Sequence, residues 1–230
     1  MMKNVSSAPL APSTLSRVNA VLFDFDGTLM DTNGLIASTW RHTVKTLADR
    51  DITDDEIRGT LGEVIVDSMR RMLPGVDTGK AIGVYREYQH ERYLDSIRLF
   101  EGSEEVLREL RAAGYKTALV TSRLRNSTRK GLAHFGIEDL FDFVLTADDT
   151  KVFKPDPTPL YLTLEKLGSR PEEAMFIGDT VHDIEAGLAA GVFTVLVDWS
   201  FALPPEKRAA VSTPDAVIGK MRDVLTLLSL

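Results

Sequence analysis

Residues 20–32 read AVLFDFDGTLMDT and join a short apolar run to two aspartates and a glycine. The apolar residues at 21–23 predict a buried strand, and Gly27 predicts a turn because glycine readily adopts a positive φ. Asp24 and Asp26 are two residues apart, so in an extended backbone both could bind one ligand. Such close carboxylates need a compensating cation or proton. They are either a ligand-binding pair or turn-forming aspartates.

The 230-residue chain has the composition of an ordinary soluble globular protein, with 43% hydrophobic and 27% charged residues. Its length fits one domain with an insertion or two small domains. The formal net charge of -7 argues against a nucleic-acid binder, whose affinity rests on clustered Lys and Arg. A small anionic substrate would need a local metal ion, lysine or helix N-terminus. The absence of cysteine excludes disulfides and thiol nucleophiles and permits a cytoplasmic location.

The first hundred residues contain two segments that do not have a strand pattern. Residues 1–17 are rich in Ser, Pro and Ala and lack the apolar core of a signal peptide, so we expect a flexible leader. Residues 33 to about 95 predict a helical insert, with helices around 35–47, 54–72 and 80–94. No apolar run is long enough to span a bilayer, which predicts a protein without a membrane partner.

From Phe100 onward, strand and helix patterns alternate, which predicts a parallel sheet with helices on both faces. The predicted strands are 116–121, 141–146, 174–178, 193–197 and 215–218, and a closing helix is expected from Lys220. Ligands of such sheets bind beyond the carboxyl ends of the strands. The polar residues expected there are Asp24, Asp26, Thr121, Ser122, Lys154, Asp179 and Asp183.

These residues are the parts that a phosphoryl-transfer site requires: carboxylates, a hydroxyl, a lysine and an acidic metal pair. Individually they have simpler interpretations. A threonine at a strand end is common, and Lys154, in the segment KPDPTP, could be a solvated loop residue. GDTVHD at residues 178–183 is more specific, because a helix N-cap explains one of its aspartates but not the pair.

DFDGTLMDT resembles the first motif, DxDGT, of the haloacid dehalogenase-like superfamily of phosphohydrolases. Thr121, Lys154 and GDTVHD follow in the order of the other three family motifs, and the resemblance covers nearly the whole chain. It implies an α/β fold with a Rossmann-like parallel sheet core, formed by residues 18–32 and 98–230. It also implies an inserted α-helical cap domain, residues 33–97, that closes over the substrate.

The resemblance also implies a role for each site residue. Asp24 would attack phosphorus and form an aspartyl-phosphate, while Asp26 would protonate the leaving oxygen and then activate water. Thr121, Ser122 and Lys154 would bind the phosphoryl group. The implied cofactor is Mg²⁺, a hard cation that prefers oxygen ligands. The implied ligands are the Asp24 carboxylate, the Asp26 main-chain carbonyl and Asp179, with Asp183 either a ligand or a neighbour of the ligands.

The predicted cap resembles those of phosphoglycolate phosphatases and of bacterial inorganic pyrophosphatases of this superfamily. The segments DTNGLI and TSRLRNSTRKGL are more similar to the pyrophosphatases, and Gly-Glu at 62 and 63 departs from the Gly-Pro often seen in phosphoglycolate phosphatases. Charged cap residues either shape a specificity loop or form a solvated face. They are Arg58, Gly62, Glu63, Arg70 and Arg71. We expect the four scattered histidines to be packing or surface residues, with His42 on the first cap helix the one that could face the site.

The predicted function is therefore a Mg²⁺-dependent phosphohydrolase that acts on a small phosphorylated metabolite or pyrophosphate. The alternative is a phosphomutase of the β-phosphoglucomutase type, although Thr28 stands where those mutases usually carry Val. A haloacid dehalogenase is disfavoured, since those relatives lack the second carboxylate, Asp26. A non-catalytic binding protein on the same fold stays open. The expected partners are a small phosphorylated substrate, with no nucleic acid and no membrane, and the protein is expected to be a monomer or homodimer.

Overall fold

The structure is a computed structural model that describes residues 12–209 and 211–230. Most of the expected flexible leader, residues 1–11, lies outside the described residues. Pro12–Arg17, at its end, forms a 3-10 helix, and Leu15 packs against the main hydrophobic core.

Within the described residues, six parallel strands form the central sheet, and two short strands form a separate antiparallel pair. Along the chain the strands are β1 Ala20–Phe23, β2 Met30–Asp31, β3 Arg98–Leu99, β4 Lys116–Val120, β5 Phe143–Leu145, β6 Ala174–Gly178, β7 Phe193–Val197 and β8 Ala216–Ile218. The sheet order is β5-β4-β1-β6-β7-β8, and β2 pairs with β3. The prediction of a parallel sheet is confirmed, and β1 lies inside the sheet between β4 and β6.

Helices lie on both faces of the sheet and fill the insert. They are α1 Asn33–Ala48, α2 Asp54–Arg58, α3 Ile65–Met72, α4 Thr78–Ser96, α5 Ser103–Ala112, α6 Arg125–His134, α7 Thr158–Leu167, α8 Val181–Ala190, α9 Pro205–Arg208 and α10 Asp223–Leu227. No described helix is long and apolar enough to cross a membrane.

Strand β1 is buried on both faces because its side chains alternate between two hydrophobic clusters. Val21 and Phe23 pack in a cluster that contains residues of α5, α6 and α10. Ala20 and Leu22 pack in the opposite cluster, with residues of α7 and α8. This double burial explains why β1 is a nearly continuous apolar run, as expected for the interior of a parallel sheet.

Helices α1 to α4 have a hydrophobic cluster of their own, in which the rings of Trp40 and Tyr85 make an edge contact with centroids 5.1 Å apart. Helices α1 and α4 make the most extensive packing contact of the insert. The antiparallel pair β2 and β3 lies at the two points where the chain enters and leaves these helices. The insert is therefore placed against the same end of β1 that carries Asp24 and Asp26.

Two helix predictions were wrong in their bounds. The predicted helix 54–72 is two helices, α2 and α3, because Gly62 between them has a φ of +82°, which a continuing helix cannot contain. The closing helix begins at Asp223, not at Lys220. Asp223 accepts hydrogen bonds from the backbone N–H groups of Gly219 and Lys220, which holds those residues in a turn before the helix.

Close packing between α8 and β7 predicts opposite effects for two helical Gly→Ala changes. A Cβ at Gly187 would lie 2.4 Å from Thr194 Oγ1, whereas nothing lies within 4 Å of a Cβ at Gly83. We expect Gly187→Ala to lower the free energy of unfolding by about 1–3 kcal/mol through overpacking. Gly83→Ala should raise it by up to about 1 kcal/mol, because alanine favours the helix. Urea unfolding measures both, and equal changes in the two variants would contradict this packing.

Candidate active site

All seven residues predicted from the strand ends line one cavity of about 790 Å³ between the sheet and the insert. Among the cavity's lining residues are Asp24, Asp26, Thr121, Ser122, Lys154, Asp179 and Asp183. Asp183 lies in the first turn of α8, and the others come from the loops that follow β1, β4, β5 and β6. The rule that polar residues at the carboxyl ends of parallel strands meet at one edge therefore brings the candidate residues together here.

The backbone at the end of β1 places Asp24 beside Asp179. The Asp24 amide donates to the Ile177 carbonyl at 2.8 Å and so extends the sheet ladder by one residue. Gly27 then turns the chain with a φ of +80°. A Cβ at Gly27 would lie 2.3 Å from Asp179 Oδ2, so only glycine allows this approach between the two loops.

Lys154 connects two of the buried carboxylates. Its ammonium lies 2.6 Å from Asp24 Oδ1 and 2.6 Å from Asp183 Oδ1, and it donates to the Val120 carbonyl at 3.0 Å. The side chain is 4% exposed, and its three donors have three nearby acceptors, so its orientation is fixed. Burial alone would lower the pKa of Lys154, but the charges of Asp183 and Asp24 outweigh burial and raise it.

Lys154 does not fully compensate the negative charges of Asp24 and Asp179. Burial raises the pKa of Asp24 to about 7, although Lys154 opposes part of that rise. Burial, together with the charges of Asp183 and Asp24, raises the pKa of Asp179 well above its usual range. Ionisation of both carboxylates is therefore unfavourable without a cation, and a bound cation would favour it.

Asp183 takes part in the N-terminal cap of α8 and also pairs with Lys154. Its Oδ2 accepts hydrogen bonds from the Thr180 amide at 2.9 Å and the Thr180 hydroxyl at 2.6 Å, which completes a capping box. Burial opposes its charge, but Lys154 and Thr180 outweigh burial and lower the pKa of Asp183. The two aspartates of GDTVHD thus have different environments, with Asp183 anchored as an anion and Asp179 less compensated.

The acidic cluster fits a divalent cation. Asp24, Asp179 and Asp183 each offer a carboxylate oxygen, and these oxygens lie within 4.8 Å of one another. Asp179 Oδ1 is buried and has no hydrogen-bond partner within residues 12–209 and 211–230, an arrangement that a bound cation would satisfy. A set of carboxylate oxygens without histidine or cysteine suits a hard cation better than zinc.

Asp26 is held by two residues that sequence reasoning did not include. Arg123 donates from Nε to Asp26 Oδ2 at 2.9 Å and from Nη2 to Oδ1 at 2.7 Å. The Thr32 hydroxyl donates to Asp26 Oδ1 at 2.7 Å. A signal for Arg123 was present, because it directly follows Thr121 and Ser122 at the end of β4.

Thr121 and Ser122 place two hydroxyl groups at the cavity. Thr121 Oγ1 accepts a hydrogen bond from the Arg123 amide at 3.1 Å, which leaves the hydroxyl hydrogen able to donate to a ligand. The Ser122 side chain makes no hydrogen bond to any other residue described by the structure, and it also lines the cavity. Both side chains therefore have donors available to an oxyanion.

Only some of the insert residues that were expected to shape a specificity loop line the cavity. Gly62 and Glu63 line the cavity, and Glu63 accepts hydrogen bonds from Ser68 at 2.6 Å and Arg71 at 2.6 Å. Arg58 instead lies over the Phe201 ring, 4.7 Å from its centroid. His42 is a packing residue, as expected for the scattered histidines, and it does not face the site. His42 stacks on Tyr88, with ring centroids 4.2 Å apart, and is not among the cavity's lining residues.

The sequence profile of haloacid dehalogenase-like hydrolases matches residues 21–197, which include every candidate site residue. The chain belongs to the haloacid dehalogenase-like hydrolase family. The pyrophosphatase PpaX of Bacillus cereus is 36% identical over 216 residues, which are 93% of this chain and 97% of that protein. Together with the site, this relationship identifies the hydrolase as an enzyme of the phosphatase type.

Solved structures of haloacid dehalogenase-like proteins have the same fold as this hydrolase. A haloacid dehalogenase-like hydrolase from Bacteroides fragilis superposes with a TM-score of 0.80 at 26% identity and covers 90% of this chain and 99% of its own. A candidate phosphoglycolate phosphatase from Lactobacillus plantarum gives a TM-score of 0.79 at 25% identity, with coverages of 91% and 99%. The predicted fold class, a Rossmann-like parallel sheet core with an inserted helical segment, is confirmed.

Binding of a divalent cation to this hydrolase is expected to release protons below about pH 7. Because the pKa of Asp24 is raised to about 7 and that of Asp179 is also raised, the pair holds at least one proton at pH 6. A cation requires the ionised form, so its affinity should increase as the pH rises through this range. Titration calorimetry with Mg²⁺ at pH 6, in two buffers of different ionisation enthalpy, counts the protons. A binding enthalpy that is independent of the buffer would contradict this expectation.

Proposed function

We propose that the enzyme is a Mg²⁺-dependent phosphohydrolase that cleaves a small phosphorylated substrate through an aspartyl-phosphate on Asp24. The observation that carries the proposal is the buried cluster in which Lys154 lies 2.6 Å from both Asp24 and Asp183 at the base of the cavity. A carboxylate held beside an ammonium and a cation site is suited to attack phosphorus while the charge of the phosphoryl group is neutralised.

Asp24 is the nucleophile in this proposal. Lys154 binds its Oδ1, while Oδ2 makes no hydrogen bond with the rest of the described chain and is available for in-line attack. The attack forms a bond between Oδ2 and phosphorus and breaks the bond from phosphorus to the leaving oxygen. Water then cleaves the aspartyl-phosphate and regenerates the carboxylate.

Asp26 is the proton donor and acceptor. Its side chain is 25% exposed, compared with 8% for Asp24, and it lines the same cavity. It would protonate the leaving oxygen in the first step and take a proton from water in the second. Thr32 holds its Oδ1, so the carboxyl group is oriented by the same motif that supplies the nucleophile.

The phosphoryl oxygens would be bound by the Thr121 and Ser122 hydroxyls and the Lys154 ammonium. The Asp24 carboxylate, the Asp26 main-chain carbonyl and Asp179 would hold Mg²⁺, with Asp183 beside them. Four carboxylates and two cationic side chains meet at this end of the cavity, so the fully ionised site has an excess of two negative charges. When bound, Mg²⁺ would offset this excess and act as a Lewis acid toward the phosphoryl oxygens.

Residues 33–97 are proposed to act as the cap domain over a core formed by residues 18–32 and 98–230. Two observations support this division. The helices of the insert have their own hydrophobic cluster, and the cavity lies between that cluster and the ends of the strands. Closure of the insert would exclude water from the aspartyl-phosphate until Asp26 activates one molecule.

Pyrophosphate is the first candidate substrate. The support is the 36% identity to the pyrophosphatase PpaX over 93% of this chain. Phosphoglycolate is the second candidate, because a structure with a TM-score of 0.79 is described as a phosphoglycolate phosphatase. Glu63 lines the cavity at the position where the sequence departs from the Gly-Pro of many phosphoglycolate phosphatases, which argues against phosphoglycolate.

Phosphate release from pyrophosphate, phosphoglycolate, sugar phosphates and nucleotides, with Mg²⁺ and with chelator, tests this function. We expect turnover only with the metal, and a loss on the order of 10³-fold or more in Asp24→Asn, because the amide cannot act as the nucleophile. Asp95→Asn, at the exposed end of α4, is the matched control and should retain activity. Turnover of no substrate, or full activity of Asp24→Asn, would contradict the proposal.

A further inference from the structure

Arg123 occupies an unusual place in the cavity wall. Its side chain is 7% exposed, yet it lines the cavity. Its guanidinium lies over the Tyr93 ring, 5.0 Å from the centroid, and 5.9 Å from the centroid of Phe25. Tyr93 comes from the insert and Arg123 from the core, so both parts of the chain hold this group. A fixed guanidinium in this position is suited to recognise an anion.

Asp26 does not use all the donors of Arg123. A guanidinium has five N–H groups, and Asp26 accepts hydrogen bonds from Nε and Nη2. Nη1 makes no hydrogen bond with any residue in the described part of the chain. Because Arg123 lines the cavity, these remaining donors are available to an anionic or strongly polar ligand there.

The cavity wall beyond Arg123 is also basic. Lys130 Nζ lies 3.0 Å from His90 Nε2, and Arg86 lines the same cavity. Within the described residues, neither Lys130 nor Arg86 forms an ion pair with a carboxylate. The cavity therefore has an acidic base at the strand ends and a basic wall formed by α4 and α6.

We propose that Arg123 binds the negatively charged part of the leaving group and so gives the enzyme its preference for substrates with an anionic leaving group. This inference rests on the proposed function, because it takes Asp26 as the residue that faces the leaving oxygen. Arg123 contacts Asp26 directly, so its remaining donors lie next to that oxygen. In pyrophosphate the leaving group is itself a phosphate, which offers acceptors that match a guanidinium.

The test compares two substrates that share a phosphoryl group and differ in the leaving group. Pyrophosphate releases phosphate, whereas phenyl phosphate releases phenol, which has no second charged group. We expect Arg123→Gln to lower kcat/KM for pyrophosphate about 10- to 150-fold more than for phenyl phosphate, as for the loss of a charged hydrogen bond. Arg123→Lys keeps the charge and should lose less. Arg129→Gln on α6, whose side chain is 67% exposed, is the matched control.

Binding gives a second readout that does not depend on turnover. Imidodiphosphate keeps an anionic second phosphoryl group, and inorganic phosphate lacks it. Titration calorimetry in the presence of Mg²⁺ should show that Arg123→Gln weakens imidodiphosphate binding about 10- to 150-fold and phosphate binding much less. Thermal unfolding of each variant identifies loss of the fold, and Arg123→Lys provides the comparison where Arg123→Gln is unstable.

Equal losses for both substrates and both ligands would overturn the inference, because they would show that Arg123 only positions Asp26. A wild-type enzyme that prefers phenyl phosphate over pyrophosphate would overturn it as well. Failure of the proposed function has a different signature. In that case the wild type releases no phosphate from any substrate, or Asp24→Asn remains active. The calorimetric comparison of imidodiphosphate and phosphate would still show whether Arg123 binds the second anionic group.

Discussion

The ion pairs of Lys154 with Asp24 and Asp183 are the interaction on which the site depends. Lys154, in the loop after β5, joins the loop after β1 to the first turn of α8, and its ammonium is almost completely buried. Without it, the buried carboxylates would face one another with no internal cation, an arrangement that costs several kcal/mol. Asp24 and Asp183 can therefore lie together at this edge of the sheet because Lys154 is held between them.

Lys154 neutralises only part of the negative charge of the acidic cluster. The carboxylates that remain uncompensated make the cluster suited to bind a cation. The raised pKa values of Asp24 and Asp179 are the energetic sign of uncompensated carboxylates. A cation that lowers this cost also removes the negative potential that would repel an anionic substrate in a protein of net charge -7. Farther into the cavity, Arg123 supplies positive charge from the protein itself, next to Asp26.

The fold and the positions of the main site residues could be predicted because both follow from where the strands end along the sequence. An apolar run that ends in a polar residue marks a strand end, and parallel strands place those ends together. The pairing of Arg123 with Asp26 could not be read in this way, since 97 residues separate them and an arginine after a strand is usually solvated. The break at Gly62 was also missed, because a helical pattern hid a residue with positive φ.

A crystal structure with Mn²⁺ in place of Mg²⁺ would show whether Asp24 and Asp179 form a cation site beside Lys154. An anomalous difference map shows where the bound metal lies. We expect one strong peak between the carboxylates of Asp24 and Asp179, and loss of this peak in Asp179→Asn. A peak elsewhere in the cavity, or no peak at a saturating Mn²⁺ concentration, would show that these carboxylates do not form the cation site.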